Sequence, residues 1–410
     1  MTPGLRRVKE PVPAGLAWLL AAGVLVCWVQ PALGQQGPLT LRLDHRVSWD
    51  DNVFRQPDSV SDPQPGVSGR SDRFSTTSVG LRFAKTYAQQ QFLLDLSRSA
   101  LRYDKFTSLD NDVYANRAAW QWHLSPRISG TLSADRSRSE IDFADTLGVH
   151  RISRRTTNLG LTVDAWLSGG WHLLMGASHT ESLNSTVFLA QPSYSQDTQE
   201  LGLRYIMPSQ SSIGFTTRWG QGTNTNQPVD LVNFTDSEFT TRESELSWTW
   251  IASATSTLSG RLSRVERRNP HVPQRDFSGG AGELRYAWMA TRALSLNFSA
   301  ARSLTAYASG LDSSERREDT FAFAAAWRAS ERISLRMVAS RWSSDYLGAV
   351  GTTAAPSRRD KYRSLEFGIN WLAHRRVTLG ASLRGERRTS TDATLDFDDT
   401  VASISAGLTF

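Results

Sequence analysis

One hairpin recurs along this chain, and it limits the possible folds more than any other feature. Its clearest copy runs from Leu365 to Arg384. Leu365, Phe367, Ile369 and Trp371 alternate with small or polar residues, the chain turns at Leu372-Ala373-His374-Arg375-Arg376, and Val377, Leu379, Ala381 and Leu383 alternate on the return. Strand side chains point to opposite faces with a period of two, so each arm has one apolar face and one small or polar face. Similar arms carry Ala118, Trp120, Trp122 and Leu124 into Ile128 and Leu132, and Leu159, Leu161 and Val163 through Trp166 into Trp171 and Leu173. Others pass from Leu201, Leu203 and Tyr205 to Ile213 and Phe215, from Leu246 and Trp250 to Leu258 and Leu262, from Leu284 and Trp288 to Leu296 and Phe298, and from Phe321 and Trp327 to Ile333 and Leu335.

The aromatics beside the short turns, Trp122, Trp166, Tyr205, Trp250, Trp288, Trp327 and Trp371, are spaced 44, 39, 45, 38, 39 and 44 residues apart. A period near forty suits either a propeller blade or a barrel hairpin. A blade needs four short strands in that length, whereas each period here holds two long runs, a short turn and a long polar loop. Aromatics gathered at the short turns also form the girdle that a membrane barrel places at an interface. The pattern therefore predicts an all-β fold: a transmembrane, antiparallel, up-and-down outer-membrane β-barrel of about 18 strands (16–18). Its short turns would face the periplasm and its long loops the exterior. An open sheet edge in hydrocarbon costs several kcal/mol per unpaired backbone group. The first strand, from Leu39 to Val47, should therefore pair with the last, from Val401 to Phe410.

Composition fits this reading. The hydrophobic fraction is 39% and the mean hydropathy −0.38, as expected when only every second strand residue meets lipid. Beyond Gln35 no apolar run approaches the ~20 residues of a spanning helix. Residues 1–34 have the layout of a secretory signal: Arg6, Arg7 and Lys9, an apolar run from Ala14 to Val29, and small residues at Ala32 and Gly34, with cleavage expected near Gly34/Gln35. Residues 35–410 are then one barrel domain in the outer membrane of a Gram-negative cell. The single cysteine, Cys27, falls in the signal, so the exported chain would hold together by strand pairing and packing alone. The formal net charge of +6 is carried almost wholly by arginine and spread along the chain, which argues against nucleic-acid binding. Asp50 to Arg73 reads as a long loop, and a phase change between Phe92 and Tyr103 suggests a bulge in the third strand.

About 18 strands enclose a lumen too wide for side chains alone to fill. Opposite the apolar face lie Arg42, Arg46, Arg82, Arg117, Arg204, Arg218, Arg261, Arg285, Arg336 and Arg384, with Asp44, Asp95, Asp164, Glu200, Glu245, Glu283 and Glu366 among them. These groups form either a self-compensating ion-pair lattice or a cation-rich channel that favours anionic or hydroxyl-rich solutes. A second set, Arg136, Arg138, Arg264, Arg302 and Arg341, shares the lipid-facing parity but lies near the loops, where lipopolysaccharide phosphates would be in reach. No local catalytic motif occurs and no enzyme is expected; a Ser–His pair assembled across strands could use His123 or His172. Asp396, Asp398 and Asp399 form an acidic loop read as solvated rather than as a calcium site. No metal or cofactor is expected.

The closing Ser403-Ile404-Ser405-Ala406-Gly407-Leu408-Thr409-Phe410 looks like the last strand of bacterial outer-membrane barrels, which typically end in an aromatic. Six further segments occur along the chain: Asp51-Asn52-Val53-Phe54-Arg55, Ala119-Trp120-Gln121-Trp122, Ser129 to Arg136, Gly170-Trp171-His172-Leu173-Leu174, Gln274 to Gly279 and Phe397-Asp398-Asp399-Thr400. Through them the chain resembles the exosortase B-associated EpsL family of outer-membrane proteins assigned to extracellular polysaccharide biosynthesis and export. The resemblance implies a conduit or accessory for exopolysaccharide, with the polysaccharide export machinery as partner. Outer-membrane lipid, lipopolysaccharide and the barrel assembly machinery are the partners a barrel of this kind implies. The alternatives are a general or sugar-selective diffusion porin and a plugged structural or adhesive barrel.

Overall fold

The computed structural model describes residues 38–63, 66–146, 151–188, 190–225, 227–307, 313–350 and 358–410. The expected signal segment and Cys27 lie outside the described residues. Eighteen strands are present among those described: β1 (Leu39–Asp50), β2 (Asp72–Tyr87), β3 (Gln90–Tyr103), β4 (Asn111–Ser125), β5 (Ile128–Glu140), β6 (Ser153–Ser168), β7 (Trp171–Asn184), β8 (Tyr194–Ile206) and β9 (Ser212–Asn224). Then follow β10 (Glu238–Ser253), β11 (Ser256–Arg268), β12 (Phe277–Met289), β13 (Leu294–Ala306), β14 (Glu315–Arg328), β15 (Ile333–Leu347), β16 (Arg359–His374), β17 (Val377–Ser390) and β18 (Phe397–Thr409). Each pairs antiparallel with its sequence neighbours, and β1 pairs with β18. The fold is a closed all-β antiparallel barrel.

The expected seam between first and last strands is present. It runs from Arg42↔Thr409 to Asp50↔Val401, and Phe410 N donates to Leu41 O at 2.9 Å just beyond it. Every strand thus finds two neighbours, the condition for a sheet surrounded by hydrocarbon. The strands have 12–16 residues, more than the 9–11 needed to span a bilayer at a tilt. Their ends therefore project past the membrane.

The recurring hairpin has a physical basis at the short turns. In four copies the register shifts beside a two-residue turn: between His123 and Ser125, Trp166 and Ser168, Ile251 and Ser253, and Leu372 and His374. Each shift directly follows or includes the girdle aromatic, so one extra residue bends the strand where the tryptophan meets the interface. The bulge expected in β3 is absent: both its ladders run without a shift. Its apolar phase changes because the inward Tyr103 packs on a folded loop, while the outward Arg98 and Arg102 leave the belt.

Apolar residues are distributed inside out. Leu39, Leu41, Leu43, Val79, Leu132, Leu262, Phe321, Phe367, Leu383 and Ile404 are exposed on the outer wall. Buried apolar groups sit at the long-loop end, in one cluster of Val53, Phe54, Phe106 and Leu109 and another of Ala144, Tyr362 and Phe397. A water-soluble domain shows the reverse; here the outer belt is matched to a lipid solvent.

Candidate conducting lumen and its crossbar

The ten arginines expected in the lumen all stand at inward positions of their strands, opposite the exposed belt in parity. Strand register brings them against carboxylates. Arg82, Asp95, Arg117 and Asp135 are successive cross-strand partners on β2 to β5, with Arg117 Nε 3.7 Å from Asp135. On β6 to β8, Asp164 accepts from His172 Nδ1 at 2.7 Å and also pairs with Arg204. Arg218 spans Glu200 at 2.6 Å, Glu245 at 3.1 Å and Glu243 at 3.4 Å. The row continues through Arg261 to Glu245 and Glu283 at 3.3 and 3.5 Å, and through Glu283 to Arg285. Arg336 pairs with Glu366, and Arg384 lies 3.6 Å from Asp399. Arg42 and Arg46 flank Asp44 on the inner face of β1. Of the two readings, the geometry matches the lattice: seven of the ten lumen arginines pair with acids among the described residues, five of them across to an adjacent strand. Adjacent opposite charges cancel at a distance, so the wall is polar and stiff with little net field.

The sequence did not point to the structure that crosses this lumen. The loop between β5 and β6 turns inward as a one-turn helix, α1 (Phe143–Thr146), started by Asp142 Oδ1 accepting from Ala144 N at 2.8 Å. Phe143 packs edge-on against Phe54 of the β1–β2 loop at 5.2 Å. Asp145 reaches Arg316 of β14 at 3.1 Å, and Arg388 of β17 donates Nη1 to Ala144 O at 2.7 Å. In the ring of strands β14 is eight positions from β6 and nine from β5, so these contacts join opposite walls. Arg316, Tyr362 and Arg388 are inward residues, which makes residues 141–146 a crossbar inside the barrel. Arg388 is 2% exposed; it also donates to Leu395 O and Tyr362 Oη and stacks over the Phe397 ring at 4.9 Å. Burial pushes the Asp145 carboxyl above its usual range, against the pull of Arg316. The faint signal for the crossbar in the sequence is Ile141 and Phe143, apolar residues in a polar loop.

Two segments far apart in the chain knot the long-loop end. Asp51 N donates to Thr400 O and Thr400 N to Asp51 Oδ1, at 3.3 and 2.7 Å. Asn52 Nδ2 donates to Asp398 O at 2.9 Å. Arg55, held at φ 54, puts Nη1 3.2 Å from Asp50 and 3.0 Å from Asp399. Asp50, Asp51 and Asp399 come close enough together to suggest a metal site, but the Arg55 guanidinium already supplies the cation there. The acidic loop residues do not converge either. Asp396 accepts from Ser390 N, the outward Asp398 lies 3.5 Å from Arg387, and Asp399 faces inward.

The girdle residues Trp122, Trp166, Tyr205, Trp250, Trp288, Trp327, Trp371 and Phe410 all lie on the outer wall beside the short turns. Trp122 lies flat over Gly130, and the Trp171 ring is 5.0 Å from Tyr205. The outward set Arg136, Arg138, Arg264, Arg302 and Arg341 lies at the loop-proximal strand ends. His123 is exposed, with Nδ1 2.9 Å from Gln89 O, and His172 is engaged by Asp164; neither bonds a hydroxyl among the described residues.

No family model matches the sequence, and no curated protein does. Solved structures resemble it across nearly its whole length. Pseudomonas aeruginosa OpdK with vanillate has a TM-score of 0.50 at 10% identity, covering 91% of this chain and 99% of that one. Pseudomonas aeruginosa OccK9 (OpdG) has 0.51 at 13% identity, over 91% and 98%, and OccK2 (OpdF) of the same organism 0.50 at 12%, over 91% and 98%. At these identities the likeness establishes the fold, a closed outer-membrane-type barrel of the same length.

Proposed function

We propose that this chain is an outer-membrane diffusion channel for small polar solutes, narrowed by its own crossbar. The single observation carrying this reading is the crossbar itself. A closed cylinder with an apolar outer belt and an ion-lined interior already supports an aqueous path, and a segment tied to opposite walls limits what can use it. Fixed, mutually neutralised ion pairs bind a passing solute weakly enough to release it. Because opposite charges alternate around the wall, small carboxylates and sugars both meet donors and acceptors, and vanillate, found with OpdK, is a reasonable first solute to try. The test is single-channel recording in planar bilayers. The intact chain should give discrete openings, and deleting residues 142–146 should raise the conductance at least about twofold. Absence of current from both forms sinks the channel reading in favour of a plugged structural or adhesive barrel.

A role in exopolysaccharide export is the second reading, supported by the EpsL resemblance. Two of its segments, Asp51 to Arg55 and Phe397 to Thr400, form the knot described above. A polymer strand would need the crossbar to withdraw, so the crossbar deletion separates the readings. Gene deletion that leaves secreted polysaccharide unchanged removes this second reading and leaves the channel untouched.

A further inference from the structure

Three arginines stand in a row on the outer wall. Arg341 of β15 is directly opposite Arg363 of β16, and Arg363 is directly opposite Arg387 of β17. They share parity with the exposed belt residues Ile333, Leu365 and Leu383, and all three are exposed. The row begins where the belt stops: on β15 and β16 the next outward residues toward the short turns are Ala339 and Leu365.

Like charges directly opposite on neighbouring strands repel. Elsewhere on this rim Arg138 and Arg155 face each other across β5 and β6 without an ion pair among the described residues, but as a pair and not a row across three strands. Other outward arginines are neutralised. Arg302 closes on Asp319 at 2.6 Å, Arg264 on Glu266 at 3.1 Å, and Arg98 and Arg102 share Asp112 at 2.9 Å each. In the row only Arg387 has an acid, Asp398, at 3.5 Å with both groups largely exposed. Arg341 and Arg363 form no ion pair with a described residue, and Lys361, outward on β16 beyond Arg363, adds a further cation. The chain thus leaves a concentrated positive charge uncompensated at one depth.

That depth determines the partner. A basic side chain on the lipid face is costly at the midplane and nearly free at the interface, so the row fits the headgroup level of the leaflet at the long-loop end. Strands are about 4.8 Å apart, so the three guanidinium groups span roughly 10 Å. Each presents the planar fork of donors that grips a phosphate with two parallel hydrogen bonds. We propose that Arg341, Arg363 and Arg387 dock the phosphorylated headgroup of a lipopolysaccharide molecule in the outer leaflet. This rests on the outer-membrane reading, with long loops facing out, and is independent of whether the lumen conducts.

The test uses the chain folded in detergent free of lipopolysaccharide and titrated with lipid A or with dephosphorylated lipid A. The unaltered barrel should bind lipid A at least about tenfold more tightly than the dephosphorylated form, about 1.4 kcal/mol. The Arg341→Gln/Arg363→Gln/Arg387→Gln barrel should lose that preference, while Arg264→Gln on the neutralised part of the rim should retain it. Should the triple variant not fold, the single Arg363→Gln, which removes the central group, should show the same loss in part. Bilayer conductance is read separately on the unaltered barrel: no current there would count against the channel reading alone, and a retained preference in the triple variant against the docking site alone. Equal binding of both lipids by the unaltered barrel, or full preference in Arg363→Gln, overturns the proposal.

Discussion

At the scale of single residues, glycine and tryptophan explain why the hairpins close as they do. Trp122 and Gly130 are directly opposite on β4 and β5, and a Cβ built on Gly130 would fall 2.3 Å from Trp122 Cζ2 and 2.2 Å from Thr162 O. Gly260 stands in the same relation to Trp248, 2.3 Å from its Cζ2. The missing side chain lets the indole lie flat along the neighbouring strand and cover backbone that would otherwise meet the interface. Gly130→Ala should force the ring away and destabilise the barrel by ~1–3 kcal/mol, the usual range for overpacking. Reversible urea unfolding in lipid vesicles, followed by tryptophan emission, would measure it; an unchanged midpoint would mean the ring contact has no energetic weight. Alternation placed these residues on the outer wall from sequence alone. Their pairing needed the register, which depends on the bulge after His123.

At the scale of elements, the long loops carry what periodicity cannot predict. Asp236 lies between β9 and β10 and holds the loop between β11 and β12. Its carboxylate accepts from His271 N at 2.8 Å and Val272 N at 3.2 Å, and from His271 Nδ1 at 2.9 Å. The hydrogen bond to Asp236 raises the His271 pKa above its ordinary value, and the Asp236 pKa is lowered: burial works against this, and the bonds from His271 and Glu238 outweigh it. The signs give a window. The histidine contribution is complete below about 6.5, the unfolded value, and is lost as pH rises through the higher folded value. The aspartate contribution is present above its unfolded value of about 3.9 and is lost as pH falls through the lower folded one. Amide exchange at His271 and Val272 should therefore be slowest near pH 4 to 6.5 and quicken above it, after correction for intrinsic rates. Asp236→Asn should abolish the pH dependence; a profile unchanged by that substitution would falsify the linkage. The crossbar belongs to the same scale. Its partners Asp145 and Arg316 are 171 residues apart, and Ala144 and Arg388 are 244 apart, so nothing local in the sequence marks them as a pair.

At the scale of the whole molecule, closure is the property on which the others depend. Ser48 and Ser403 are directly opposite across the seam, with Oγ atoms 2.9 Å apart. Paired residues on antiparallel strands hold their Cα atoms about 4.5–5.5 Å apart, within disulfide range. Ser48→Cys/Ser403→Cys should oxidise to an internal disulfide that changes mobility on a denaturing gel and is reversed by reductant. Because Cys27 is the only native cysteine, a chain lacking residues 1–34 gives an unambiguous result. A pair that stays reduced in the folded barrel would mean the first and last strands are not neighbours. The resemblance to OpdK and OccK9 bears on this scale alone, since a shared ring of strands at 10–13% identity leaves the residues that line the path free to differ.

The sequence by itself determined the strands, their number to within two, and the alternation that separates an apolar outer face from an arginine-bearing one. Each of these follows from a period of two read against a solvent that tolerates no unpaired backbone. Only the tertiary structure decided what the arginines do. Strand register ties the inward ones into a neutral lattice and lines up Arg341, Arg363 and Arg387 on the outside. It also showed that a loop crosses the bore. The reason is physical: alternation is local and survives in a one-dimensional pattern, whereas charge compensation and lumen filling depend on residues that only ring closure brings together.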